Sequence, residues 1–475
     1  MKRTISGVAA GVIGLLFTLT AAEQPFRPDI PKAWDEKALS DMEIPLPPPA
    51  PKPVPVSEAY YYSIPELTIY RTYPRGSRPE DPKYLEWLKQ QNPAVAFDPA
   101  QLTTEDAWVK AGELVFNAAL RPLPYVGQPF GQSYVIRTKG VVELTAVSCS
   151  TCHRQRHADG TMIAGAPSRS LTNFAFNFPT TSSERAERMR RLYSTPWLDP
   201  DPNMQLDPAI AAQDVISWRT ASGGITDRIG SSLTHPVRIP SLIGLKNWKY
   251  FDHSGRHRQR SIGDVMRYAA MADATSGMER YQRYGDFIAG APDFKTLPDP
   301  KTLTRFSDAQ LYALALYLYS LESPPNPNKP DAVSTRGERV FQSEGCDRCH
   351  REPLYTNNKL VPAEGFTVPP DHRAKYDILS NERIGVDSHS TLKTRRGTGY
   401  YKVPSLKDVW LRPVLSHNGA VGTLEEWFDP RRLEDTFVST GFRGPYKSRA
   451  VKGHEFGLTL SAEDRKALIA FLRTL

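Results

Sequence analysis

The chain has 475 residues and 40% hydrophobic content, enough for two or three domains with real cores. Its formal charge of +8 comes without any dense Lys/Arg block interleaved with aromatics, which excludes a nucleic-acid-binding protein. Beyond the N-terminus no apolar run approaches the ~18 residues of a membrane span, which excludes stable membrane insertion of the remainder.

Lys2 and Arg3 precede an apolar run from Ile5 to Leu19, followed by Thr20-Ala21-Ala22 and then polar Glu23-Gln24. This pattern predicts a secretory signal over residues 1–22 and a periplasmic or secreted mature protein, with an uncleaved anchor as the alternative. Loss of Lys2 and Arg3 lowers the charge from +8 to +6.

Residues 23–100 read as a Pro-rich extension. Seven prolines between Pro45 and Pro55 favour polyproline II and forbid helix. Tyr60, Tyr61 and Tyr62 offer anchors by which the segment could wrap the body, and a flexible tether is the other reading.

From residue 101 the pattern turns helical. Thr103 and Thr104 are candidate caps for a helix opening at Glu105-Asp106, with Ala107, Ala111, Leu114, Val115 and Ala118 as its apolar stripe. Next come Cys149-Ser150-Thr151-Cys152-His153 and, much later, Cys346-Asp347-Arg348-Cys349-His350, which together use all four cysteines. C-x-x-C-H is the attachment sequence of c-type haem: the thiols form thioethers to the porphyrin vinyl carbons and the adjacent imidazole becomes an axial iron ligand. A zinc site would need cysteines from both motifs and would leave both histidines unexplained. A helix over Ser183 to Tyr193 carries Arg185, Arg188, Arg190 and Arg191 among Glu184 and Glu187, which reads as a solvated face.

The chain also repeats itself. Gly112-Glu113-Leu114-Val115-Phe116 before the first motif matches Gly337-Glu338-Arg339-Val340-Phe341 before the second. Pro240-Ser241-Leu242 lies 13 residues before His253, and Pro404-Ser405-Leu406 lies 13 before His417. Ser307 to Leu321 matches Ser461 to Leu475 without a gap, as two Ser-capped amphipathic helices. The fold expected is mainly α: two tandem cytochrome c-like modules, 101–322 and 323–475, with long loops and a Pro-rich linker from Ser323 to Pro330.

The second axial position decides what each haem can do. The last methionine is Met278, so the second module cannot supply a Met ligand. Its candidates are His372, His389, His417 and His454. We favour His454, which stands just before the closing helix; His417 suits a loop or a propionate, and His372 and His389 read as surface residues. His454 lies seven residues before Ser461, whereas seven before Ser307 is Pro300, which cannot ligate. His157 is too close to His153 to cross the macrocycle. Met162, Met266, Met271, His235 and His257 remain open for the first module, where a five-coordinate haem is expected. Trp248 and Tyr250 are either an electronic bridge or core.

The two motifs, Val403-Pro404-Ser405-Leu406, and His417-Asn418-Gly419 followed by Thr423-Leu424-Glu425-Glu426 resemble the bacterial dihaem cytochrome c peroxidase and MauG family. Over residues 101–475 the chain looks most similar to that family's RoxA-like, rubber-oxygenase-related branch. The resemblance implies an open N-terminal haem that reacts with H2O2 or O2 and a six-coordinate C-terminal haem that transfers electrons. It also implies, as partners, a small redox donor, an electron-carrier protein or an apolar organic substrate, and a Ca2+ between the modules whose ligands the sequence does not mark. The chain departs from the family pattern in having no Met in module two and Asp252-His253-Ser254-Gly255 where Trp-Asp-Gly is usual. The family's distal Glu has no clean match; Asp264 and Asp273 are the nearest acids. A plain electron-transfer cytochrome and a MauG-like maturation enzyme are the competing functions.

Overall fold

The structure is a computed structural model that describes residues 25–50, 56–75, 81–118, 122–124, 133–145, 148–157, 159–169, 182–220, 223–226, 231–272, 297–379 and 384–475. The signal sequence expected over 1–22, Met278 and Asp273 lie outside them.

The architecture is helix-rich with a few small antiparallel sheets, as expected. Two helix pairs form its frame. Glu105–Asn117 packs on Asp308–Ser320, and Ala332–Ser343 packs on Ala462–Thr474. Thr104 caps the first helix through Ala107 N at 3.1 Å, and Ser307 and Ser461 cap the two closing helices. Each crossing is so close that it needs glycine. A Cβ on Gly112 would lie 2.0 Å from the Ala313 carbonyl oxygen, and one on Gly337 would lie 1.9 Å from that of Ala467. Both pairs of residues are those matched by the sequence repeat.

The repeat extends to backbone conformation between the helices. Gly244 and Asp408 are both left-handed, at φ 77° and 57°, and each opens a 3-10 turn, Leu245–Asn247 or Val409–Leu411. Asp252 (φ 59°) matches Ser416 (φ 71°), and Gly255 (φ 63°) matches Gly419 (φ 73°). Phe251 pairs with His257 just as Leu415 pairs with Val421. The copies also exchange backbone bonds: Arg238 N donates to His417 O at 2.9 Å, and Lys402 N donates to His253 O at 2.8 Å. This reciprocity is what a pseudo-two-fold junction requires.

The N-terminal extension wraps the body. Trp34 is fully buried, stacks on Tyr61 at 4.6 Å and donates from Nε1 to Val56 O at 2.8 Å. Ala33 N and the Tyr62 hydroxyl both donate to Asp308 of the first closing helix. Trp34, Leu39, Met42 and Tyr61 belong to the same apolar core as Trp108, Phe116, Leu311 and Leu314. A four-stranded antiparallel sheet joins the extension strand Thr72–Pro74 to Ser133–Thr138, Val141–Thr145 and Pro122–Pro124. The arginine-rich helix, Ser182–Tyr193, is not the solvated face expected. Arg185 is buried, and Arg190 holds the Asn203 and Met204 carbonyls, while Arg191 stays on the surface beside Glu187. Among the described residues, no helix is long and apolar enough to cross a membrane.

Candidate functional site

Cys149 and Cys152 sit on one short helical turn, Cys149–Cys152, opened by Ser148 and Thr151 in a capping box. The turn delivers His153 with its backbone bonded to Cys149 O, and His153 Nδ1 lies 3.1 Å from Pro240 O. A carbonyl can only accept, so Nδ1 carries the proton and Nε2 keeps the lone pair a metal needs. The second motif repeats this chemistry on the 3-10 turn Cys346–Arg348, where His350 Nδ1 is 3.1 Å from Tyr355 O. A backbone carbonyl therefore stands behind each motif histidine, Pro240 O at the first and Tyr355 O at the second.

A cavity of about 210 Å³ opens above His350. Phe341, Leu406, Val409, Leu424, Leu468 and Leu472 line its apolar wall beside Cys346 and Cys349. His454 faces His350 across it, with ring centroids 6.3 Å apart. With metal–nitrogen bonds of about 2.0–2.1 Å and ring nitrogens about 1.1 Å from their ring centres, two imidazoles opposed on one metal have centroids about 6.2–6.4 Å apart. The separation fits a single iron between them. Burial pushes both imidazoles down, His350 to about 4 and His454 to about 3, so both are neutral and able to ligate at pH 7. His454 sits at φ 48°, held by its N–H to Ile384 O, and Arg432 clamps its carbonyl at 2.8 Å. The donor set, the apolar wall and the spacing fit a covalently attached porphyrin.

Two further histidines, His253 and His417, also line this cavity, and the remaining ones are engaged elsewhere. His372 is buried with Nδ1 3.0 Å from the Tyr400 hydroxyl, and His389 stacks on His235 at 4.0 Å, so neither is the surface residue expected. His235 pairs with Asp387 at 2.5 Å. His417 and His253, equivalent in the repeat, meet at the junction with centroids 6.0 Å apart. His257 is held between Glu43 (2.8 Å) and Asp252 (3.1 Å), and His157 lies near Asp159. Met266 and Met271 are buried in the main core, and Met162 is exposed. Asp264, offered as a catalytic acid, is fully buried and taken up by Arg260 and Arg267, which makes it an anchor rather than a proton donor. No Asp or Glu lines the cavity above His350 among the described residues. Trp248 lies under the Lys402 ammonium at 4.1 Å, and Tyr250 is core.

Three residues that the sequence reading missed also reach this cavity: Arg238, Lys402 and Arg412. A signal was present. Arg238-Ile239 and Lys402-Val403 put a cation two residues before each Pro-Ser-Leu. These cations suit a divalent ion badly, and no group of three His, Cys, Asp or Glu able to hold a metal occurs among the described residues.

No family model and no curated protein matches the chain. Among solved structures it is similar to the diheme peroxidase BthA from Burkholderia thailandensis, at 16% identity over 87% of this chain and 94% of that one, with a TM-score of 0.26. It is also similar to hydrazine synthase from Kuenenia stuttgartiensis (16% identity, 54% of this chain, 78% of that one, TM-score 0.32). A third likeness is to a MauG-like protein associated with microbial copper homeostasis, at 17% identity over 35% of this chain and 56% of that one, with a TM-score of 0.23. Likenesses this distant say nothing about reaction, substrate or partner.

Proposed function

We propose that the chain is an exported dihaem c-type oxidoreductase of the peroxidase and MauG kind, with two unlike haem sites. Cys149, Cys152 and His153 hold the first porphyrin, and Cys346, Cys349 and His350 hold the second, with His454 as its sixth ligand. The observation that carries this reading is the 6.3 Å opposition of His350 and His454 beside the second cysteine pair. Bound in these sites, iron supplies one-electron redox chemistry and, where an axial position is open, binding of H2O2 or O2.

The chain's own residues set the division of labour. Pro240 O orients His153, and Tyr355 O orients His350, each fixing the tautomer that leaves Nε2 free to ligate. His454 closes the second site against exogenous ligands, leaving it to store or relay electrons. In the first module Met266 and Met271 are core, His257 is held between Glu43 and Asp252, and the repeat register offers only Pro300. We assign this site the open position and the reaction with peroxide or oxygen.

Optical and EPR spectra of the purified protein test the reading. We expect one high-spin and one low-spin haem per chain, with only the high-spin one responding to peroxide, oxygen or carbon monoxide. Two low-spin haems indifferent to all three would leave a plain electron carrier instead. Turnover of a reduced cytochrome with peroxide, against oxygen uptake on an apolar substrate, then separates peroxidase from oxygenase.

A further inference from the structure

The junction between the repeats holds a second, smaller cavity of about 50 Å³. It is lined in equivalent pairs: Pro240 and Pro404, Ser241 and Ser405, Arg238 and Lys402, Trp248 and Arg412. Arg238, Lys402 and Arg412 line both this cavity and the one above His350. Their protein partners are all neutral. Arg238 Nε donates to Ser416 O at 2.8 Å, and Lys402 Nζ to Tyr250 O at 3.1 Å; Arg412 Nη2 donates to the Ser405 and Lys407 carbonyls. Arg412 Nε is buried with no partner among the described residues. The carboxylates that act on this group are committed elsewhere, Asp252 to His257 and Tyr268, and Asp408 to Ser323. Burial pushes Lys402 down to about 7 and Arg412 to about 9, the response of cations lacking a counter-charge.

Half-buried cations whose bonds go only to carbonyls are poorly compensated, and three lining the same cavity point to a ligand that brings the anions. A porphyrin attached through Cys346 and Cys349 has its thioether edge in the apolar cluster around Phe341, Leu468 and Leu472. Its opposite edge carries two carboxylates. We infer that Arg238, Lys402 and Arg412 form a carboxylate receptor that takes the propionate groups of the porphyrin at the second motif. The inference rests on reading that motif as a haem attachment. Arg238 belongs to the first repeat, so one half supplies a charge to the cofactor of the other. The second site is then complete only when the junction is docked.

The test is potentiometric titration of the low-spin haem in the full-length holoprotein. Removing a cation near the iron disfavours the reduced state, so Arg238→Gln and Arg412→Gln should each lower its midpoint potential. Arg238→Lys should restore most of the shift, and Lys139→Gln, on an exposed hairpin turn, should leave it unmoved. Potentials of both Gln variants equal to that of Lys139→Gln, with two haems per chain, would overturn the receptor. If Arg238→Gln does not fold, resonance Raman of Arg238→Lys decides: unchanged propionate bending modes would refute it equally. A saturable shift of the wild-type potential on adding acetate or inorganic phosphate would show that a free anion fills the receptor, against this proposal. Failure of the haem-attachment reading looks different, since haem content would then fall short of two per chain in the wild type.

Discussion

Removing the His454 side chain is the sharpest perturbation of the second site. In His454→Ala the side chain ends at Cβ, and the ring that faces His350 is gone. His372 is tied to Tyr400 and His389 lies stacked on His235, while His417, which also lines the cavity, stays bonded to Tyr401 and beside His253. The shift should therefore be complete rather than partial. All of the low-spin EPR signal should convert to high spin, and carbon monoxide bound by the reduced protein should double, from one to two per chain. The thioethers are untouched, so haem content should stay at two per chain. Removing a neutral buried imidazole leaves a cavity costing about 1–3 kcal/mol, visible as a lower denaturation midpoint. Added imidazole should enter that cavity and restore the low-spin spectrum. A variant that keeps its low-spin haem would refute the assignment of His454, and with it the asymmetry between the sites.

Other expectations follow from the frame. Gly337→Ala and Gly112→Ala each drive a methyl into a carbonyl at the helix crossing, at a cost of about 1–3 kcal/mol or more; urea denaturation with either variant as stable as wild type would refute the close crossing. Trp34→Ala should cost about 3–5 kcal/mol, since the indole is fully buried; a smaller loss would mean the extension is not part of the core. His253 and His417 are pushed by burial to about 4 and about 3, below their unfolded value of about 6.5. The unfolded chain then binds protons that the folded one refuses, so stability should fall as pH drops from about 6.5 toward 4, by up to ~1.4 kcal/mol per pH unit for each group. His253→Gln should flatten that slope, and an unchanged slope would refute the burial effect. Asp214 has the opposite sign. Burial raises its carboxyl to about 8, with no hydrogen-bond partner among the described residues, so its contribution is present below about 4 and is lost as pH rises toward 8. Asp214→Asn should stabilise the protein at pH 8 by about 1–3 kcal/mol, measured by thermal melts across pH.

Much of the candidate site was legible because the two Cys-x-x-Cys-His motifs are written in contiguous residues. Cys149 to His153 and Cys346 to His350 carry their chemistry in local spacing, and the Ser307 and Ser461 helices announce themselves by cap and period. His454 was singled out because no methionine follows Met278 and because it stands just before the closing helix. What stayed hidden depends on long-range packing. No local pattern shows that Arg185 is buried, that Asp264 is consumed by two arginines, or that Trp34 fills the first core. Arg238 and Lys402 gain a meaning only in the fold, where they line one cavity with Pro240 and Pro404. Their meaning lies in the relation between the repeats: where the copies agree, at Gly112 and Gly337 or Pro240 and Pro404, they build the same scaffold twice. Where they diverge, at Pro300 against His454 or Trp248 against Arg412, the halves present different side chains. On the proposed function, duplication supplies the two porphyrin cradles and these divergent positions supply their unequal chemistry.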